Sequence, residues 1–359
     1  MRNIIIFSLE PLESRYTCEW HTYLPKLLKD AAGDEFNIIQ IDGDTNSGTP
    51  THGAFLDFLS TNQWKNEQAN KFFNLVKDGI ILKGDRILFT DFWNPTILEI
   101  KYVNDLMSMD WELHAFVHAG SYDSQDFLGR LIKDKNWTYS TERALFHAID
   151  HNWFATQYHV DLFVKSIVGH ENYFKHASTG KISLTGWPMD YLPDTLSKYD
   201  ISQKEDIIIF PHRIAPEKQP EIFRDLATSM PQYKFVVCQD DKLSKQEYHK
   251  LLAKSKVVWS ANLQETLGIS PFEGALMGAI PLLPFRLSYF EMYEPIFLYP
   301  TEWTESFENY LENKEDIMYK IEYLMKNYEE IRASVDNLAD HLLEKYFTAT
   351  ELINKLLRK

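Results

Sequence analysis

Residues 207–218 read Ile207-Ile208-Ile209-Phe210-Pro211-His212-Arg213-Ile214-Ala215-Pro216-Glu217-Lys218. Four apolar residues in a row, three of them β-branched, describe a strand buried on both faces, as in a parallel sheet. Proline then ends the ladder, and the following turn carries two cations, Arg213 and Lys218. Ligands of doubly wound sheets sit at the carboxyl ends of strands, so this turn is a place to look for chemistry. Two cations can serve one anion, and a leaving diphosphate needs that. Its charge grows as the bond breaks, and fixed cations stabilise it more in the transition state than in the ground state. A solvated surface turn is the competing reading of the stretch by itself.

Outward from here the pattern repeats. Strand-like runs at 234–238, 256–260 and 280–284 alternate with helical spacing over 220–229, 245–253 and 271–277. Upstream, runs at 3–7, 36–41, 86–89 and 113–117 flank helical patterns at 19–30 and 66–77. Alternating β and α in both halves predicts parallel sheets with right-handed crossovers. Residues 186–204 collect prolines, turn residues and charge, which marks a seam. The expected organisation is one Rossmann-like domain over 1–190 and a second over 205–335. A helical segment, 336–359, is expected to pack back toward the first. A chain of 359 residues suits two such cores.

Composition narrows the classes. With 44% hydrophobic and 14% aromatic residues the chain can fill its cores, which excludes a disordered scaffold. No window approaches the roughly 20 unbroken apolar residues of a membrane span. The opening MRNIIIFSLEPLE reads as a strand rather than a secretion signal, so a cytoplasmic protein is expected and Asn136-Trp137-Thr138 is a chance glycosylation match. Cys18 and Cys238 make neither a disulfide framework nor a zinc site. A formal charge of −15 counts against broad nucleic-acid binding, although a local basic stripe stays open.

A second motif follows the run at 256–260: Glu265-Thr266-Leu267-Gly268-Ile269-Ser270-Pro271-Phe272-Glu273. Ser270 with Glu273 reads as a capping box, with Pro271 at the first helical position. Such a helix start turns free N–H groups and a positive dipole end toward the preceding loop. Gly268 permits close backbone approach, so Leu267, Gly268 and Ile269 can cradle a phosphate or sugar. Glu265 stands outside the helix start, where its carboxylate can meet sugar hydroxyls. A plain cap and an exposed acid remain the alternative.

Taken together, Arg213 with Lys218, then Glu265 and Glu273, resemble the donor site of GT-B retaining glycosyltransferases of family four. Gly278-Ala279-Ile280-Pro281 is similar to the turn and strand that follow that family's helix, and the resemblance spans about 207–293. It implies two Rossmann-like doubly wound domains with a cleft between them, 1–190 taking the acceptor and 205–335 the nucleotide-sugar donor. It implies that the basic pair contacts the diphosphate, that Glu265 meets the donor sugar and that Glu273 holds the ribose hydroxyls.

In the first half, the run at 113–117 ends in His118-Ala119-Gly120-Ser121-Tyr122-Asp123. A histidine at a strand end can bond the donor sugar or serve only as a structural hydrogen bonder; the resemblance implies a place beside the sugar. The loop after the first strand has no glycine, unlike many relatives. Its Glu10, Arg15 and Tyr16, with Asp91, Trp93 and Asp123 at other strand ends, are the candidate acceptor residues. Packing of Tyr16 and Trp20 under the loop, and an apolar turn around Trp93, are the alternatives. The twelve histidines show no metal-ligand spacing, so no catalytic metal is expected. Asp42-Gly43-Asp44 and Asp240-Asp241 read as turns.

The stretches EPLESRYTCEW, HAGSYDSQDFLGR, FPHRIAPEKQPE and LSYFEMY are similar to bacteriophage-type glycosyltransferases that decorate hydroxymethylated pyrimidines in DNA. The second half also resembles the mannosyltransferase that acts on queuosine in tRNA. The expectation is therefore a metal-independent, retaining hexosyl- or pentosyltransferase with no cofactor beyond its nucleoside-diphosphate sugar. DNA carrying a hydroxymethylated base is the expected acceptor. A tRNA nucleoside or glycan acceptor, an epimerase or hydrolase of the donor, and a non-catalytic nucleotide-sugar-binding protein stand as alternatives.

Overall fold

The computed structural model describes residues 1–13, 15–45, 48 and 56–358. Contacts divide the chain into two compact units, Met1–Pro188 with Ala349–Lys359, and Met189–Thr348.

The first unit is built on a parallel sheet of β1 (Arg2–Phe7), β2 (Phe36–Ile41), β3 (Arg86–Phe89), β4 (Glu112–Phe116), β5 (His151–Phe154) and β6 (Ile182–Leu184), in the order β2-β1-β3-β4-β5-β6. The run Ile4-Ile5-Ile6-Phe7 is almost wholly buried, as a central parallel strand covered on both faces must be. Phe7 packs on Phe72 of the helix Phe58–Lys77 and on Phe89 of β3, within one apolar cluster. That helix begins eight residues before its apolar spacing suggests, because Asp57 accepts from the amides of Leu59 and Ser60 and caps it. The helix Tyr16–Ala32 also starts early, so Tyr16 and Trp20 are helical rather than loop residues.

The second unit carries β7 (Glu205–Phe210), β8 (Lys234–Val237), β9 (Ser255–Trp259), β10 (Ile280–Pro284) and β11 (Leu298–Tyr299), again parallel, in the order β11-β10-β9-β7-β8. The helix Pro220–Ser229 starts with proline at its first position, where no amide hydrogen is needed.

Residues 336–359 do not form one helix. The helix Tyr328–Lys345 belongs to the second unit, and after a break the helix Thr350–Leu356 belongs to the first. There the Arg86 guanidinium of β3 donates to the carbonyls of Leu356 and Arg358.

Both strand orders contain a switch point, between β1 and β3 in one sheet and between β7 and β9 in the other. Loops leaving the carboxyl ends of strands on either side of such a point frame a natural ligand crevice.

Candidate functional site

In the second unit, the loops after β7 and β9 meet at the switch point. Lys218 ends a 3-10 turn, Pro216–Lys218, and its side chain is only 7% exposed. Its ammonium donates to the Gln264 carbonyl at 2.5 Å and to Glu265 Oε2 at 3.2 Å. Asn262 Nδ2 donates to the same carboxylate oxygen at 3.1 Å and lies 3.2 Å from the Tyr289 hydroxyl. Burial works to raise the Glu265 pKa, but the Lys218 charge, His212 and the Thr266 amide outweigh it, so Glu265 is held below the usual glutamate range. Arg213 pairs with the buried carboxylate of Glu217, four residues on.

Arg286, just past β10, stitches the loops in place. Its Nε donates to the Asn262 carbonyl at 2.7 Å and its Nη2 to the Ala261 carbonyl at 2.8 Å. Gln219 Nε2 donates to that Ala261 carbonyl as well, at 2.7 Å. His212 is buried and pushed down to about 3, chiefly by burial and then by Lys218. It bonds the Trp259 backbone, and its Nε2 has no hydrogen-bond partner among the described residues. The Tyr289 and Tyr293 phenols are driven well above their ordinary value by burial and the Glu265 charge, so both stay neutral.

The capping box expected at Ser270 and Glu273 is absent. The helix runs Ile269–Leu276 with Gly268 as its cap, in the left-handed region at φ 83°. A left-handed residue turns the chain into the helix directly, which leaves Ser270 and Pro271 inside the first turn and no role for a side-chain cap. A Cβ on Gly268 would stand 2.9 Å from Tyr289 Cε1, so the position demands glycine on two counts. The amides of Ile269 and Ser270 open the helix, and Leu267 beside them is buried. Glu273 accepts from the Tyr248 hydroxyl at 2.9 Å, and its other oxygen lies 3.7 Å from His249 Nε2.

The structure thus brings Arg213, Lys218 and Glu265 to one pair of loops and sets Leu267, Gly268 and Ile269 next in the chain. Glu273 sits one turn into the helix, facing the helix Lys245–Lys254. Asn262, Gln219, Arg286, Tyr248 and Tyr289 complete these contacts and were not singled out in the sequence. Gln219 and Asn262 are near Lys218 and Glu265 in sequence but carry no motif of their own, and Arg286, Tyr248 and Tyr289 join them only through the fold.

In the first unit, His118 follows β4. Its Nε2 bonds the Thr90 carbonyl at 2.8 Å, so that nitrogen carries the hydrogen and Nδ1 accepts from the Tyr16 hydroxyl at 2.7 Å. Burial pushes His118 down to about 4, against the pull of Asp91. Rings of Tyr16, Trp20 and Trp187 surround it, and the Arg15 guanidinium lies 5.5 Å from the Tyr16 ring centre. Asp91 binds the Lys65 ammonium at 2.8 Å. Trp93 Nε1 donates to Glu142 at 2.9 Å, and Glu142 also accepts from the Ser121 amide at 2.6 Å. Glu10 is buried and accepts from Thr61 at 3.0 Å, while its Oε1 has no hydrogen-bond partner among the described residues. Asp123 closes its own turn on the Gln125 amide at 2.9 Å. Glu10, Asp91 and Trp93 thus leave the strands that flank the β1/β3 switch point, and His118 and Asp123 follow the next strand.

Asp42 and Asp44 point to different partners, Asp42 to His21 at 2.9 Å and Asp44 to Lys71 at 2.6 Å. Asp240 is held by Arg224 at 2.8 Å. Among the described residues no helix is long and apolar enough to cross a membrane.

No protein-family model and no curated protein sequence matches the chain. Solved structures do. Sucrose-phosphate synthase from Thermosynechococcus elongatus superposes with a TM-score of 0.62 at 10% identity, over 99% of this chain and 97% of that one. WaaG, a glycosyltransferase involved in lipopolysaccharide biosynthesis, gives 0.59 at 11% identity over 99% and 100%. An alpha-glucosyltransferase in complex with UDP and a 13-mer DNA containing a central A:G mismatch gives 0.57 at 13% identity over 98% and 97%. The architecture is that of GT-B glycosyltransferases: two parallel sheets with alternating helices.

Proposed function

We propose that the chain is a retaining glycosyltransferase that moves a sugar from a nucleoside-diphosphate donor to an acceptor hydroxyl without a catalytic metal or other cofactor. The observation that carries this reading is the Lys218 ammonium, desolvated beside Glu265 where the loops after β7 and β9 meet. A cation so placed gains strength from low dielectric and costs no reorganisation when charge develops on a leaving β-phosphate. Arg213 supplies the second charge. Glu265, ionised at neutral pH, accepts from sugar hydroxyls, and Glu273 accepts from the ribose.

The reading gives no carboxylate the part of covalent nucleophile. Attack therefore comes from the face the diphosphate leaves, and the departing phosphate oxygen takes the acceptor proton. His118, neutral and with Nε2 held by the Thr90 carbonyl and Nδ1 by the Tyr16 hydroxyl, is in this reading a group that positions Tyr16 beside the donor sugar rather than an acid. The acceptor in this reading is a hydroxymethylated pyrimidine in DNA. The structural relative solved with UDP and DNA supports that choice, as do the stretches similar to phage enzymes. Glu10, Arg15, Tyr16, Asp91, Trp93 and Asp123 are the residues proposed to meet it.

The test is incubation with labelled UDP-, GDP- and ADP-sugars against hydroxymethylated DNA, unmodified DNA, tRNA and glycans, read by mass spectrometry and by the anomeric configuration of the product. Transfer to hydroxymethylated DNA alone, with retention and in the presence of EDTA, is expected. An inverted product removes the mechanism, and transfer only to tRNA or glycan removes the acceptor. Free sugar released at the same rate without any acceptor removes transfer itself.

A further inference from the structure

Glu112 and His114 stand two residues apart on β4, hence on one face of the sheet, and His151 is the register partner of His114 on β5. Their ligand atoms converge. His151 Nε2 lies 2.8 Å from Glu112 Oε1, His114 Nε2 lies 3.5 Å from the same oxygen, and the three groups can bring one atom each within 4.8 Å of one another. Thirty-six residues separate His114 from His151, so no spacing in the sequence announces the group.

Two features separate this cluster from an ordinary surface ion pair. His151 Nδ1 donates to the Gly180 carbonyl at 2.9 Å, and without an ion its Nε2 donates to Glu112 Oε1, so Nε2 is the nitrogen whose proton a metal ion would replace. Metal-ligating histidines are oriented by that kind of second partner. His114 is fully buried, and among the described residues neither of its ring nitrogens has a hydrogen-bond partner. Buried polar groups are rarely left so, and an ion on Nε2 would satisfy one of them. Arg86 donates to the other oxygen of Glu112, Oε2, at 3.1 Å. It leaves Oε1 for the cation, and its own charge is shared with the carbonyls of Leu356 and Arg358. Side-chain exposures of 34% for Glu112 and 17% for His151 leave room for water in a fourth position.

We propose that Glu112, His114 and His151 form a binding site for one divalent transition-metal ion of the zinc class. Two imidazoles and a carboxylate are a zinc donor set, and tetrahedral bonds of about 2.1 Å place donor atoms about 3.4 Å apart. The His114 separation fits already, and the His151 contact must open by about half an ångström. The ion would join the amino-terminal ends of β4 and β5. His118 lies past the opposite end of β4, so the ion supports the sheet rather than the reaction, and the proposal is independent of the function above.

The full chain, treated with chelator and then dialysed, is titrated with Co2+ by its visible absorption and with Zn2+ by competition and by the shift in Tm. One ion per chain is expected, with Zn2+ displacing Co2+ and raising Tm. Glu112→Gln and His151→Ala should each weaken binding about a hundredfold or more and abolish the Tm rise, while exposed His147→Ala leaves both unchanged. No saturable one-to-one binding to the wild type would overturn the site. Binding undiminished in both variants would overturn it equally.

Discussion

Lys218 holds a charge where water scarcely reaches, satisfied by one carbonyl and one carboxylate. In the proposed reaction Lys218→Ala lowers kcat by roughly a hundredfold or more, the scale of losing one preorganised charge-stabilising donor. It also removes one partner of Glu265, which keeps Asn262, and Arg213→Ala removes a charge paired with a buried Glu217. Because these contacts are lost, both changes are also expected to cost stability, by about 1–3 kcal/mol. Steady-state kinetics at a temperature where urea melts show the variants fully folded separates the two effects, and a folded variant with wild-type kcat refutes the role. Glu273 divides more cleanly. Glu273→Gln keeps an acceptor for Tyr248, so Tm should stay close to wild type. If the carboxylate holds the ribose, the donor KM rises about tenfold or more, the worth of a lost charge-assisted hydrogen bond. Unchanged donor affinity would strip Glu273 of that part.

Among the elements, the turn at Gly268 joins backbone geometry to the proposed chemistry. Gly268→Ala should cost about 1–2 kcal/mol in urea unfolding, since alanine resists a positive φ. Its Cβ presses on Tyr289, whose hydroxyl lies 3.2 Å from the Asn262 amide that bonds Glu265. Turnover should therefore fall as well, and a variant as stable and active as wild type would contradict both statements. The strands flanking the two switch points were legible because their Ile- and Val-rich runs need no partner to be recognised. β5 and β6 were not: His151-Asn152-Trp153-Phe154 is half polar, and Ile182-Ser183-Leu184 is three residues long. The Ser270 box misled because its spacing is met while Gly268, two residues earlier, already starts the helix. Arg213, Lys218 and Glu265 were legible through their places after strands. Arg286 and Tyr248 are tied to them only by folding, and Asn262, three residues before Glu265, carries no motif of its own.

For the whole molecule, buried histidines set the response to acid. Burial depresses His118 to about 4 and His159 and His212 to about 3, from an ordinary 6.5. Between pH 6.5 and about 4 the unfolded chain takes up these protons and the folded chain does not. Stability is therefore full above about pH 6.5 and falls with acid, by up to about 1.4 kcal/mol per pH unit for each ring. Asp91 and Glu265, held below their ordinary values, add loss in the same direction at lower pH. Calorimetry from pH 7.5 to 4.5 should show Tm falling steadily below about 6.5; a flat profile would mean the rings are protonated in place. The return of residues 349–358 to the first unit has a different consequence, one of timing. The ribosome delivers β1 to β6 first and then all of the second unit, before the stretch whose carbonyls receive Arg86 has emerged. The second unit can thus close on itself during synthesis, while the first waits, nearly whole, for its last helix.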